Sequence, residues 1–193
     1  VMSAGSAVEM PWLPKCKALI HGYLCGQAGA SSVLKAVMGQ VNPCGKLAET
    51  YPVKYEDVSS APYFPAKERT AEYREGLFVG YRYFETANIP VLFPFGFGLS
   101  YTTFEYSDLT VTDKEATFTL KNTGKMDGAE VAQLYVSKTD GDVFRPAKEL
   151  KGFQKVFLKA GESKKVTIPL DDKAFRYFNV NTNKFEVEGG QWT

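Results

Sequence analysis

Thr117-Phe118-Thr119-Leu120-Lys121-Asn122-Thr123-Gly124 decides how the second half of this chain is read. The first four residues are β-branched, aromatic or aliphatic, as a strand prefers, and Asn-Thr-Gly is a turn signal directly behind them. The same alternation of short run and turn extends in both directions. Before it stands Thr103-Phe104-Glu105-Tyr106; after it come Glu130 to Val136, Val156-Phe157-Leu158, Lys165 to Leu170 and Phe185-Glu186-Val187. Asp127-Gly128, Asp140-Gly141-Asp142 and Ala160-Gly161-Glu162 punctuate the runs. Five or six strands at this spacing predict an antiparallel sandwich of immunoglobulin type, in which about seven strands are usual, so the last one is expected to be missing.

Toward the N-terminus the pattern changes. Val1-Met2 reads as a strand end and Lys17 to Tyr23 as a second, buried strand. Gln27 to Met38 places Ala28, Val33, Leu34, Val37 and Met38 at helical spacing, and Gly39 stands where a helix would stop. This part reads as α/β. Between the two halves, Tyr51 to Pro94 is rich in proline and aromatic rings without clear periodicity, which predicts an extended strap packed across a surface. The chain starts inside an apolar stretch and stops as an aromatic residue begins what could be another strand, so it reads as a fragment.

Composition excludes several classes. The 193 residues carry 23 Lys+Arg against 22 Asp+Glu, so nothing draws the chain to nucleic acid or an anionic membrane, and neither is expected as a partner. No apolar run nears the roughly 18 residues of a membrane span. An apolar content of 44% is enough to build a core. Cys16, Cys25 and Cys44 form no Cys-x-x-Cys pair and read as buried, reduced thiols. His21 lies in an apolar run and reads as a satisfied structural histidine. No metal-ligand cluster is apparent, and no metal or cofactor is expected.

Three motifs are candidates for chemistry. Cys25-Gly26-Gln27-Ala28-Gly29 sits at a strand-to-helix junction but lacks dinucleotide or P-loop spacing, so a packing turn is favoured. Glu75 and Glu85 could be the two carboxylates of a glycosidase, which must flank one bond; structural ion pairs with Arg74 and Arg82 are the favoured alternative. Phe93 to Phe104 alternates aromatics and glycines and could stack on sugar rings or form a rigid aromatic elbow, the second being favoured.

In this order the motifs resemble the C-terminal half of a family 3 glycoside hydrolase of β-glucosidase type. Gly26-Gln27-Ala28-Gly29 is similar to the family's Gly-Gln-x-Gly turn. Asn42-Pro43-Cys44-Gly45-Lys46-Leu47 resembles Asn-Pro-Ser-Gly-Lys-Leu-Pro, with Cys44 for Ser and Ala48 for Pro. Glu75-Gly76 to Phe84 resembles Glu-Gly-x-x-Val-Gly-Tyr-Arg-Tyr-Phe-Asp, with Glu85 for Asp. Phe95 to Thr102 fits Phe-Gly-x-Gly-Leu-Ser-Tyr-Thr, and Lys148-Glu149-Leu150-Lys151-Gly152-Phe153 recurs in the family's fibronectin-III-like domain.

The resemblance implies a fold class of two parts: the end of an α/β sandwich with a mostly parallel sheet, then an all-β immunoglobulin/fibronectin-III-like sandwich. It places the α/β part at 1–50, the strap at 51–98 and the sandwich at 99–193, lacking its last strand. It further implies a retaining exo-acting β-glucosidase as parent, with a β-glucoside or short β-gluco-oligosaccharide as substrate. The nucleophilic Asp would lie on a barrel and the acid/base Glu upstream in the α/β sandwich, so no catalytic residue is expected in this chain. Its partners would be the missing barrel and the rest of the α/β domain, with loops near Trp12 or Tyr73 as candidates for a pocket rim. A glycan- or protein-binding module using the aromatic strap and the sandwich is the alternative.

Overall fold

Residues 1–66, 69–138 and 140–193 are described by a computed structural model, in which the chain divides into two units, Val1–Leu99 and Ser100–Thr193. The first unit contains a 3-10 turn at Leu13–Lys15, helix α1 (Gly29–Val37), strand β1 (Tyr51–Pro52), a second 3-10 turn at Tyr55–Asp57, helix α2 (Tyr81–Thr86) and strand β2 (Val91–Phe93). β1 and β2 pair antiparallel, Tyr51 facing Phe93.

Helix α1 ends as its sequence predicts. Gly39 takes φ +70, its N–H reaches the Ala36 carbonyl at 3.0 Å, and the Gln40 N–H reaches Lys35 at 2.8 Å. These two bonds satisfy carbonyls that a helix end otherwise leaves open, and glycine tolerates the left-handed backbone they require. The apolar spacing that predicts the helix does not bury it: Leu34, Val37 and Met38 are all exposed, and no residue of α1 is buried.

Two expectations for this unit need correction. Among the described residues the parallel sheet is represented by one bridge, Met2 to His21, closed by Met2 N–H to Ile20 O (2.8 Å) and Gly22 N–H to Met2 O (2.9 Å). Lys17 to Tyr23 is not a buried strand: it is exposed at its start and half-buried from Leu19 onward. A parallel strand is buried by neighbouring strands and by crossover helices on both faces, and this unit provides neither here. The strap is also not uniformly extended. It contains α2 and the β1–β2 pair, and its rings stack locally: Tyr81 on Phe95 at 4.8 Å and Phe93 on Phe97 at 5.1 Å.

The second unit is β throughout: β3 (Phe104–Val111), β4 (Glu115–Asn122), β5 (Gly128–Val136), β6 (Glu149–Leu158), β7 (Ser163–Pro169), β8 (Arg176–Asn179) and β9 (Lys184–Val187). β3, β4 and β7 form one antiparallel sheet in the order β3-β4-β7; β5 pairs with β6 and β8 with β9. Every predicted run is a strand, and β8 is additional. The period-2 rule sets the core. Ala116, Phe118, Leu120 and Asn122 of β4 are buried on one face, and Phe118 and Leu120 pack with Ala132 of β5, Val156 and Leu158 of β6 and Val166 and Ile168 of β7.

One buried position in this core is polar. Asn122 is fully buried, and its side chain makes four hydrogen bonds. Its Oδ1 accepts from Thr102 Oγ1 (2.6 Å) and from the Gly124 N–H (3.1 Å). Its Nδ2 donates to Met126 O (2.8 Å) and Leu158 O (3.2 Å). The residue read as the opening of a turn thus ties that turn to the end of β6.

Candidate functional site

A concavity of about 270 Å³ in the first unit is lined by Thr50, Tyr81, Phe84, Glu85, Asn88, Ile89, Val91 and Pro94. Local chemistry builds it. Gly80, at φ +59, turns the chain into α2, which aims Tyr81, Phe84 and Glu85 at the concavity. The helix then ends on Asn88 at φ +52, one of the few non-glycine residues that accept this conformation. The Ile89 N–H bonds Phe84 O (2.8 Å) and the Asn88 N–H bonds Glu85 O (3.2 Å), which reverses the chain and returns it as β2 along the opposite wall.

The walls expose more polar than apolar surface, and the Thr50 hydroxyl, the Glu85 carboxylate and the Asn88 amide stand among aromatic and aliphatic side chains. Thr50 is 7% exposed, and its Oγ1 has no hydrogen-bond partner among the described residues. Glu75 does not line this concavity. It stands half-buried at the turn before Gly76, its carbonyl accepting the Phe78 N–H at 2.9 Å. Glycoside hydrolysis needs two carboxyl groups across one bond, and this lining offers one.

A second polar group of residues surrounds Tyr51, which is 1% exposed. His21 lies on Tyr23 (ring centroids 3.9 Å) and edge-on to Tyr51 (5.8 Å). Both imidazole nitrogens are buried without a hydrogen-bond partner among the described residues, so His21 is held by rings and is not the satisfied histidine expected. The Tyr23 and Tyr51 hydroxyls are buried near each other and the Glu49 carboxylate, yet neither is in hydrogen-bonding geometry. Burial, with Glu49 adding its negative charge, pushes both phenols above their usual range.

The remaining candidates fall as follows. Arg74 pairs with Glu72, not Glu75, and lies 4.7 Å over the Tyr63 ring. Neither Trp12 nor Tyr73 lines the concavity, and Tyr73 is 93% exposed. Cys16 and Cys25 are exposed and Cys44 half-buried, so the buried-thiol reading does not hold; Cys25 Sγ donates to Gly22 O at 2.9 Å. No group of three or more His, Cys, Asp or Glu side chains suited to a metal occurs among the described residues. Sequence reasoning missed Thr50, Asn88, Ile89 and Val91 as lining residues. Only Asn88, a left-handed-tolerant residue behind a helix, carries a signal that could have been read.

Two motifs distant in sequence meet in this unit. Leu47 N–H donates to Phe97 O (2.8 Å), Gly96 N–H donates to Leu47 O (2.7 Å), and Lys46 Nζ donates to Gly98 O (2.7 Å). A Cβ on Gly98 would lie 2.2 Å from Gly45 O, so this approach of two backbones requires glycine.

Comparison with known proteins follows this division. The family model described as glycosyl hydrolase family 3 C-terminal domain matches residues 1–101, and that of the fibronectin type III-like domain matches residues 130–193. A thermostable beta-glucosidase B of Acetivibrio thermocellus is 50% identical over 200 residues, covering 100% of this chain and 26% of that protein. An exo-alpha-(1->6)-L-arabinopyranosidase of Bifidobacterium breve is 43% identical over 198 residues, again covering 100% of this chain and 26% of that protein. The crystal structure of a Bifidobacterium adolescentis GH3 beta-glucosidase superposes with a TM-score of 0.93 at 43% identity, over 98% of this chain and 29% of that one. A Kluyveromyces marxianus beta-glucosidase in complex with glucose gives 0.91 at 43% identity, over 98% of this chain and 24% of that one. The chain therefore spans about a quarter of the length of the curated relatives it matches.

Proposed function

The chain belongs to glycoside hydrolase family 3, and from that premise we propose that it is the supporting C-terminal part of a retaining, exo-acting β-glucosidase whose catalytic carboxylates lie elsewhere in the longer protein. In that protein an aspartate attacks the anomeric carbon of a terminal β-glucosyl residue. A glutamic acid first protonates the leaving oxygen and then activates water. The substrate is a β-glucoside or short β-gluco-oligosaccharide. The partners of this chain are the catalytic barrel and the remainder of the α/β domain.

The observation that carries the reading is the division of the two acidic candidates: Glu85 faces the concavity and Glu75 does not. The relatives support it from another side. A beta-glucosidase and an arabinopyranosidase, named for different sugars, are 50% and 43% identical to this same region. A region shared at that level suits support of the fold better than choice of the sugar.

Release of nitrophenol from an aryl β-glucoside tests the proposal. The 193-residue chain is expected to show no sustained turnover, whereas the longer protein hydrolyses the substrate and keeps its rate in a Glu75→Gln variant. Turnover by the short chain that disappears in Glu75→Gln or Glu85→Gln would overturn it.

A further inference from the structure

The two outer faces of the β-sandwich differ in chemistry. On β4 and β7 the residues between the core positions pair as Thr117 with Thr167, Thr119 with Lys165 and Lys121 with Ser163, and the first pair joins its hydroxyls at 3.1 Å. That is the polar surface a solvated antiparallel sheet normally presents. β5 and β6 depart from it. Val156 and Leu158 of β6 and Ala132 of β5 point into the core, so alternation along the strand turns Phe153, Lys155 and Phe157 outward, opposite Gln133, Val131 and Ala129. Phe153 is 69% and Phe157 55% exposed, and Lys155 between them is exposed as well.

This face limits what can lie on it. None of its six residues is acidic, and the cation of Lys155 stands between two aromatic rings, so it suits a partner that carries negative charge on a body able to stack. Two phenylalanine side chains cover about 300–500 Å² at most, well short of the roughly 800 Å² per partner of a stable protein interface. The occupant is therefore narrow. The rings stand four residues apart on one strand, about 13 Å along a straight line, a span that a linear polymer follows. Nucleic acid and anionic membranes are held by several cations together, whereas this face offers one and the whole chain has a formal charge of +1. A glycan chain with carboxylates meets every condition: the C–H faces of its sugar rings stack on aromatic rings, and a carboxylate pairs with an ammonium group.

We propose that the outer face of β5 and β6 binds a single linear acidic polysaccharide chain, one built of uronic acid residues. Sugar rings lie on Phe153 and Phe157, and a carboxylate of a sugar between them meets Lys155 Nζ. The site rests on these two strands alone and not on the reading of the longer protein as a glucosidase.

Affinity electrophoresis of the 193-residue chain and of the longer protein, in gels holding polygalacturonate, a neutral β-glucan or no polymer, tests it. Polygalacturonate is expected to retard both proteins, and the neutral glucan to retard them much less. Phe153→Ala and Phe157→Ala should each weaken binding about tenfold. Lys155→Gln should weaken it at low salt and remove most of its salt dependence. Lys165→Gln makes the same charge change on the other outer face and should leave binding as it was. All four positions are exposed, so the variants are expected to fold, and an unchanged unfolding midpoint checks this. No retardation by polygalacturonate, equal retardation by the neutral glucan, or equal loss in Lys155→Gln and Lys165→Gln would overturn the proposal. So would binding by the short chain that the longer protein lacks, or tighter binding to anionic phospholipid vesicles or single-stranded DNA than to polygalacturonate.

Discussion

Replacing Asn122 by alanine removes the polar centre of the β-sandwich, and its cost can be worked from the four bonds it makes. The Met126 and Leu158 carbonyls lose the Nδ2 donor, and the Gly124 N–H and Thr102 hydroxyl lose the Oδ1 acceptor. A buried polar group left without a partner costs about 1–3 kcal/mol. Asn122, Thr102 and Leu158 are buried while Gly124 is half-buried, so water can re-satisfy the Gly124 N–H more readily than the Leu158 carbonyl. Taking full cost at two groups and partial cost at the others gives about 3–5 kcal/mol, a large part of the 5–15 kcal/mol typical of a domain. With a urea dependence of about 1.5 kcal/mol per molar, the midpoint of the second unit should fall by about 2–3 M. Urea titration followed by Trp192 emission in a Trp12→Phe background reads this unit. Asn122→Asp separates donation from mere polarity, because a carboxylate still accepts from Thr102 and Gly124 but meets the Met126 and Leu158 carbonyls without a proton to give. It should be at least as unstable as Asn122→Ala at pH 7. An Asn122→Ala midpoint within 0.5 M of the parent, or an Asn122→Asp protein as stable as the parent, would refute the reasoning.

Two further outcomes follow from the geometry. Gly98→Ala puts a methyl 2.2 Å from Gly45 O and forces apart the Leu47–Phe97 and Lys46–Gly98 bonds; thermal unfolding of the first unit should drop by about 2–4 kcal/mol equivalent, whereas Gly26→Ala, with open space around it, should move it far less. Tyr106 packs on Phe118, and burial, with the Glu130 charge adding to it, pushes its phenol up to about 12. A raised folded value means that the phenol's contribution is fully present below the ordinary value of 10 and is lost as pH rises from 10 through about 12. Melting temperatures measured from pH 9 to 12 should therefore fall, and Tyr106→Phe should flatten that part of the curve.

Much of the second unit was legible because strand formation there is a local matter. Runs such as Thr117 to Leu120 and Lys165 to Leu170 are β-forming on their own residues, and turn signals stand between them. β8 was missed because Arg176-Tyr177-Phe178-Asn179 is too short to set a pattern and becomes a strand by pairing with Lys184 to Val187. Helix α2 was missed for a related reason: six residues within an aromatic segment give less than two turns of periodicity. The candidate concavity was less legible still. Its lining draws on Thr50 and on residues from Tyr81 to Pro94, and no pattern in either stretch refers to the other.

By itself the sequence determined which family the chain resembles, where the β-sandwich strands run and where α1 stops, since motif order, strand periodicity and a glycine at a left-handed position are all properties of neighbouring residues. Only the tertiary structure decided that Asn122 is a buried hub, that Arg74 serves Glu72, that Glu75 and Glu85 part company, and that Ser137 and Thr193 exchange backbone hydrogen bonds. Each of these depends on which groups burial brings within bonding distance, and that is fixed by the packing of the whole unit.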